Sequence, residues 1–242
     1  MSGHSKWANI KHRKEKSDSK KGKAYSKIGR EIAVVVKQGG PDPESNSKLR
    51  DAIAKAKAEN MPNDSIWRSI KKAAGDAESA NYEEITYEGY GPGGVALIVE
   101  AMTENRNRTA GDIRHLFDKY NGNMGTTGCV SFMFNRKGVM IVLKDTYPDA
   151  DTVMLEALDA GAEDIVELDD VYEIITAPES FSGVRESLEK SGYIFESADI
   201  EMIPITTVSL VDDKQTSSFE KLIDSLEDHD DVQNVFHNCE NR

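Results

Sequence analysis

Apolar residues in the first third of the chain recur every three or four positions, the period of a helix with one buried face. Tyr25, Ile28, Ile32 and Val35 form such a stripe between the capping candidates Ser17 and Asp18 and the break Gly39-Gly40-Pro41. Lys20, Lys23, Lys27, Arg30 and Lys37 follow a similar period, and at about 100° per residue their mean direction lies roughly 150° from the apolar stripe. The pattern predicts a two-faced helix with a cationic outer ridge. A further helix is predicted after Pro43, with Leu49, Ile53 and Ala56 inward and an end near Asn60. Another opens at Pro62, commits Ile66, Trp67, Ile70 and Ala73 to packing, and stops at Gly75.

From about Asn81 the pattern changes. A strand is predicted over 82–88, a turn at GYGPGG, and an apolar strand at Val95-Ala96-Leu97-Ile98-Val99. Residues 106–120 read as a helix through Ile113, Leu116, Phe117 and Tyr120, followed by the glycine-rich loop NGNMGTTG and a strand over 129–134. Asn135-Arg136-Lys137-Gly138 reads as a hairpin. The block from 139 to 203 spells βαββαβ, and strand 205–211, helix 215–227 and strand 232–237 complete a second βαββαβ with the elements over 95–134. The fold class expected is therefore α+β: a basic helical N-terminal domain, then two ferredoxin-like plaits, one inserted into the other. The boundaries are 1–80, 81–135 together with 204–242, and 136–203 for the insert. Hairpin tips tolerate such insertions because few buried hydrogen bonds cross them.

Charge sharpens this division. The net charge of −13 splits into +8 over residues 1–78 and −21 over the remaining 164. Contact with a polyanion has to concentrate on the first part. No apolar run spans a bilayer, the N-terminus lacks the core of a signal peptide, and the two cysteines, Cys129 and Cys239, form no CxxC pair. A cytosolic protein without a membrane partner is expected.

Catalytic and cofactor signatures fail on context. Gly89-Tyr90-Gly91-Pro92-Gly93-Gly94 matches GxGxxG literally, but a strand rather than a helix follows and Pro92 removes an amide, so it reads as a tight turn. There is no GxxxxGK[ST]. His4, His12, His115, His229 and His237 form no HExxH pair, and the acidic cluster Asp224, Glu227, Asp228, Asp230 and Asp231 lacks the alternation and glycine of a calcium loop. No nucleophile elbow is present. The expectation is no enzyme, no cofactor, no metal and no small-molecule substrate.

Two segments point to nucleic acid. Lys6, Trp7, Lys11, His12, Arg13 and Lys14 lie within SKWANIKHRK, which joins cations that neutralise phosphate to an aromatic that stacks on a base. Trp7 and Ile10 are equally suited to packing this arm onto the helical domain. Together with Lys20, Lys23, Lys27 and Arg30 of the predicted ridge they form the candidate surface. Arg106 and Arg108, in NRNRT at a helix start, form a second candidate anion site, although asparagine capping accounts for part of that motif.

At these motifs the chain resembles the YebC/PmpR family of transcriptional regulatory proteins, which are similar to the mitochondrial translational activator of cytochrome c oxidase. The resemblance runs nearly end to end through GHSKWANIKHRK, GGPDPESN, ENMPNDSI, YEEITYEGYGPGG, NRNRT, FNRKG and DDVQNVFHN, while Ser2 and Glu15-Lys16-Ser17 depart from commoner family residues. It implies three domains, no catalysis and no obligatory cofactor. It also implies one of two partners: DNA, as a transcriptional regulator, or the ribosome, as a factor that contacts ribosomal RNA and relieves stalling at difficult stretches such as consecutive prolines. The residues show no clean helix-turn-helix and no dimerisation element with half-site spacing. The basic helices and the loop over 121–128 suit irregular RNA. A scaffold using the acidic plaits is a third reading.

Overall fold

A computed structural model describes Trp7, residues 21–75 and residues 82–240. Lys6, Lys11, His12, Arg13, Lys14 and Lys20, with the capping candidates Ser17 and Asp18, lie outside the described residues.

Three helices form the N-terminal unit: α1 (Lys21–Gly39), α2 (Ser47–Ala58) and α3 (Asn63–Gly75). The apolar stripes meet as the spacing predicts, burying Ile28, Ile32, Leu49, Ala52, Ile66 and Ile70 in one core. Helix α1 stops where Gly40 takes a φ of +87°, a conformation favourable to glycine, and donates its N–H to the Val36 carbonyl. Asn46 then serves two helices. Its side-chain oxygen accepts from Leu49 N to cap α2, and its Nδ2 donates to the carbonyls of Val35 and Gly40 at 2.9 and 2.8 Å. Trp67 departs from expectation: it is 54% exposed. At about 100° per residue it lies at the edge of the Ile66–Ile70–Ala73 stripe rather than within it.

Two antiparallel four-stranded sheets follow. The first has the order β3-β1-β2-β8, from β1 (Glu83–Tyr90), β2 (Ala96–Thr103), β3 (Asn123–Met124) and β8 (Val232–His237). Helices α4 (Arg106–Lys119) and α7 (Asp213–Asp228) cover one face, burying Leu97, Val99, Phe117, Phe219 and Leu222 between them. The second has the order β5-β6-β4-β7, from β4 (Phe134–Leu143), β5 (Asp164–Glu167), β6 (Val171–Thr176) and β7 (Ser197–Pro204). Helices α5 (Ala150–Asp159) and α6 (Phe181–Lys190) pack on its Met140, Val142, Tyr172 and Ile174.

Three predicted features between the sheets are corrected. Residues 131–133 form a short 3₁₀ turn instead of a strand, and 205–211 contribute only the single bridge Val208–Cys239. The predicted hairpin at 135–138 is the interior of β4, which starts at Phe134. Gly138 is there for packing, not for turning. A Cβ on it would lie 2.2 Å from Thr176 Oγ1 and 2.6 Å from the Phe181 ring. The first sheet is therefore completed by β1, β3 and β8 around β2, with no strand from 129–133 or 205–211.

Candidate nucleic-acid interface

Three cations of the predicted α1 ridge, Lys23, Lys27 and Arg30, engage protein, while Lys37 is exposed and Lys20 lies outside the described residues. Helix α7 ends in Glu227 and Asp228 with no basic residue in its last turn, so the partial negative charge of its terminal carbonyls is compounded rather than offset. The α1 cations supply what α7 lacks. Lys23 Nζ lies 3.1 Å from both the carbonyl and Oδ2 of Asp228, and Lys27 Nζ donates to the Glu227 carbonyl at 2.7 Å. Arg30 donates to the Asp230 carbonyl, approaches Asp231 Oδ1 at 3.7 Å, and sits over the Tyr82 ring. The expectation of an outward, phosphate-facing ridge is corrected for these three side chains: the acidic end of α7 engages Lys23 and Lys27, and the Asp230–Asp231 segment that follows it engages Arg30.

Asp231 is the centre of that contact. It is buried and accepts from Thr109 Oγ1 at 2.7 Å, Thr103 Oγ1 at 3.2 Å and Arg108 at 2.8 Å. Burial alone would raise its pKa, but the Thr109 and Arg108 hydrogen bonds with the arginine charge outweigh it and hold the carboxyl below its ordinary range. At the second candidate site, Asn105 caps α4 by accepting from Arg108 N, and the Arg108 guanidinium is committed to Asp231. Arg106 is exposed. The two arginines are thus not a matched pair for one anion.

Helix α2 is likewise engaged, on the second sheet's side. Arg50 Nε lies 2.5 Å from Glu186 Oε1, and Lys55 Nζ bridges Glu31 at 3.3 Å and Asp199 at 3.0 Å. Burial of Lys55 would lower its pKa, yet Asp199 and Glu31 raise it above the ordinary lysine range. Asp51 accepts from Ser182 and Arg185 across the same seam. Trp7 also packs here. Its ring is half-buried against the face of the second sheet that carries Val139, Ile141 and Val171, and its indole N–H points to Asp170 Oδ2 at 3.5 Å. The arm's aromatic is thus seated on this sheet and not on the helical domain.

Cations and an aromatic come together without such partners on the outer face of α3. Arg68, Lys71 and Lys72 are exposed and, among the described residues, make no hydrogen bond or ion pair. Trp67 lies beside them, its indole N–H likewise without a partner among the described residues. At about 100° per residue the four span an arc of roughly 140°, on the side away from Ile66, Ile70 and Ala73. The single acidic residue on that arc is Asp64, in the first turn. These residues escape a reading that counts Trp67 as apolar. The signal that finds them is the position of Arg68, Lys71 and Lys72 opposite an apolar stripe that is complete without the tryptophan.

Comparison with known proteins agrees with this architecture. A family model described as the TACO1/YebC protein N-terminal domain matches residues 5–76, and one described as the TACO1/YebC second and third domain matches residues 82–239. A probable transcriptional regulatory protein of Acetivibrio thermocellus is 67% identical over 238 residues, covering 98% of each chain. One of the same name from Caldicellulosiruptor saccharolyticus is 64% identical over 240 residues, covering 99% of each. The crystal structure of a conserved hypothetical protein, Aq1575 from Aquifex aeolicus, superimposes with a TM-score of 0.83 at 46% identity, over 92% of this chain and 91% of that one.

Proposed function

The chain belongs to the TACO1/YebC family, and from that membership we propose that it is a non-enzymatic, nucleic-acid-binding regulator of gene expression. Relatives named probable transcriptional regulatory proteins support the regulatory part of this reading. The observation that carries the binding part is the outer face of α3. Lys23, Lys27 and Arg30 of α1 and Arg50 and Lys55 of α2 engage the acidic units, whereas the clustered Arg68, Lys71 and Lys72 are left for an outside polyanion. Lys6, Lys11, His12, Arg13, Lys14 and Lys20 belong to the same proposal as candidate phosphate contacts from the basic N-terminal sequence, and DNA is the partner that the relatives' names favour.

The test is a salt series of fluorescence anisotropy titrations with the full chain. Each phosphate contact contributes about 0.7–0.9 to the slope of log affinity against log salt. Replacing Arg68, Lys71 and Lys72 by Gln should flatten that slope by about 2 and weaken binding across all sequences. Unchanged slope and affinity would contradict the reading.

A second reading, a ribosome-associated translation factor touching ribosomal RNA, draws on the same face. Exposed Trp67 favours it, because unpaired RNA bases stack on aromatic side chains. Co-sedimentation with ribosomes at physiological salt, beside promoter-fragment binding, separates the two.

The three-domain division over 1–80, 81–135 with 204–242, and 136–203 belongs to the same proposal. The separate apolar cores support it. The β4-α5-β5-β6-α6-β7 order with strands arranged 5-6-4-7 supports a ferredoxin-like plait for the insert.

A further inference from the structure

We propose that Trp67 is a stacking platform for an unpaired nucleobase, and that α3 thereby selects single-stranded over duplex nucleic acid. The inference rests on the nucleic-acid reading above and deepens it.

Trp67 has the marks of a ligand-facing residue. Tryptophan carries the largest apolar surface of any side chain, and a buried one normally pairs its N–H. Here the ring is 54% exposed, with no hydrogen bond, ring stacking or cation–π contact among the described residues. The helix does not need it for packing, since Ile66, Ile70 and Ala73 already fill the buried stripe. Its neighbours decide what covers it. Lys71 is one turn on at i+4, Arg68 is adjacent, and Lys72 stands one turn beyond Arg68. Cβ atoms at i,i+3 and i,i+4 lie about 5–6 Å apart. A phosphate held by Lys71 therefore leaves its own or a neighbouring base within reach of the indole, and Arg68 and Lys72, themselves at i,i+4 spacing, hold the strand alongside.

A polypeptide partner would need acidic residues for three cations, and an apolar group for the ring. A nucleotide strand carries both features in every residue. In a duplex the base faces are stacked on one another and cannot meet the ring, so only the cations contribute. In a single strand the base face is available, and such stacking is sequence-tolerant because every base has a π-face. RNA and single-stranded DNA share this chemistry.

The chain has two tryptophans, so Trp7→Phe leaves Trp67 as the only indole reporter in the full-length protein. Its fluorescence is followed while adding oligouridylate, oligothymidylate, or an oligo(dA)·oligo(dT) duplex of equal length. Quenching by the single strands and not by the duplex is expected. Trp67→Ala should weaken single-strand binding about tenfold and duplex binding little, with Trp67→Phe close to wild type. Equal losses on strand and duplex, or no quenching and no loss, overturn the proposal. In that case duplex binding that still depends on Arg68, Lys71 and Lys72 leaves the broader reading standing. A wild-type protein that binds none of the three overturns both.

Discussion

Arg108 and Asp231 are joined by a 2.8 Å ion pair between unlike environments: the arginine side chain is 55% exposed and the aspartate side chain 6%. Removing the two ends should therefore have unequal effects. Asp231→Ala removes the buried acceptor shared by the Thr103 and Thr109 hydroxyls and by Arg108, with Arg30 nearby, and should cost about 3 kcal/mol. Arg108→Ala leaves a carboxylate still held by two hydroxyls and Arg30, and should cost less. Equal urea midpoints for the two variants would contradict this. The pH dependence follows from the depressed pKa. The stabilisation is present above the unfolded value of about 3.9 and is lost as pH falls through the folded value. Asp231→Asn should lack that limb of the acid profile.

Glu88 plays a comparable part beneath the glycine-rich loop. Its carboxylate accepts the N–H groups of Gly128, Val130 and Ser131 at 2.7, 2.8 and 2.9 Å. Burial pushes its pKa up, but these backbone donors outweigh burial and leave it lowered. Glu88→Gln should destabilise by about 2 kcal/mol and release the amides of 128–131 to hydrogen exchange ahead of the sheet. Protection at those amides equal to wild type would show that the carboxylate does not pin the loop.

Gly138 tests the correction at the predicted hairpin. A turn glycine tolerates alanine when its φ is ordinary, whereas a Cβ here meets Thr176 Oγ1 and the buried Phe181 ring. Gly138→Ala should cost about 2 kcal/mol. Thr176→Ala in the same chain should restore part of the loss, because Thr176 Oγ1 has no hydrogen-bond partner among the described residues. Additive effects of the two substitutions would refute the packing account.

The helical stripes were legible because Ile32, Leu49 and Ile66 repeat with the helix period and meet in one core. The order of the block over 134–204 was legible for a similar reason, since its apolar strands alternate with amphipathic helices. What periodicity could not carry was the use of charge. Lys23, Lys27 and Arg30 look the same in sequence whether they face solvent, phosphate or the carbonyls at the end of α7, some 200 residues away. Gly138 reads as a turn for a related reason, since its neighbours Thr176 and Phe181 are distant in sequence.

That ambiguity yields a direct test. Reversing Lys23, Lys27 and Arg30 to Glu should detach the helical unit from the end of α7. Small-angle scattering should then show a larger radius of gyration, while nucleic-acid binding through α3 is retained. Reversing Arg68, Lys71 and Lys72 should do the opposite, abolishing binding without changing size or thermal midpoint. Loss of binding at unchanged size in the α1 variant would return the α1 ridge to the role its sequence suggests.

The last prediction concerns how the second sheet is joined to the first. Phe134 and Pro204 are paired residues at the start of β4 and the end of β7, and the Ile205 N–H donates to the Met133 carbonyl at 2.8 Å. The chain therefore leaves for the second sheet and returns from it at adjacent points. Phe134 itself belongs with Ala96, Ile98, Val130 and Phe236 on the far face of the first sheet. An excision should keep Phe134 and Pro204 and replace 135–203 by a short glycine-containing turn. Little of the Leu97–Phe117–Phe219–Leu222 core is touched by that change. The shortened chain should still unfold cooperatively in urea, with a smaller m-value because less surface is exposed. The contacts of Arg50 with Glu186 and of Lys55 with Asp199 are lost with the insert, so the helical unit should be held by the largely polar contacts of α1 with the first sheet's unit and become more salt-sensitive. A purified protein with no cooperative transition would show that the first sheet depends on the second, and that the discontinuous-domain division is wrong.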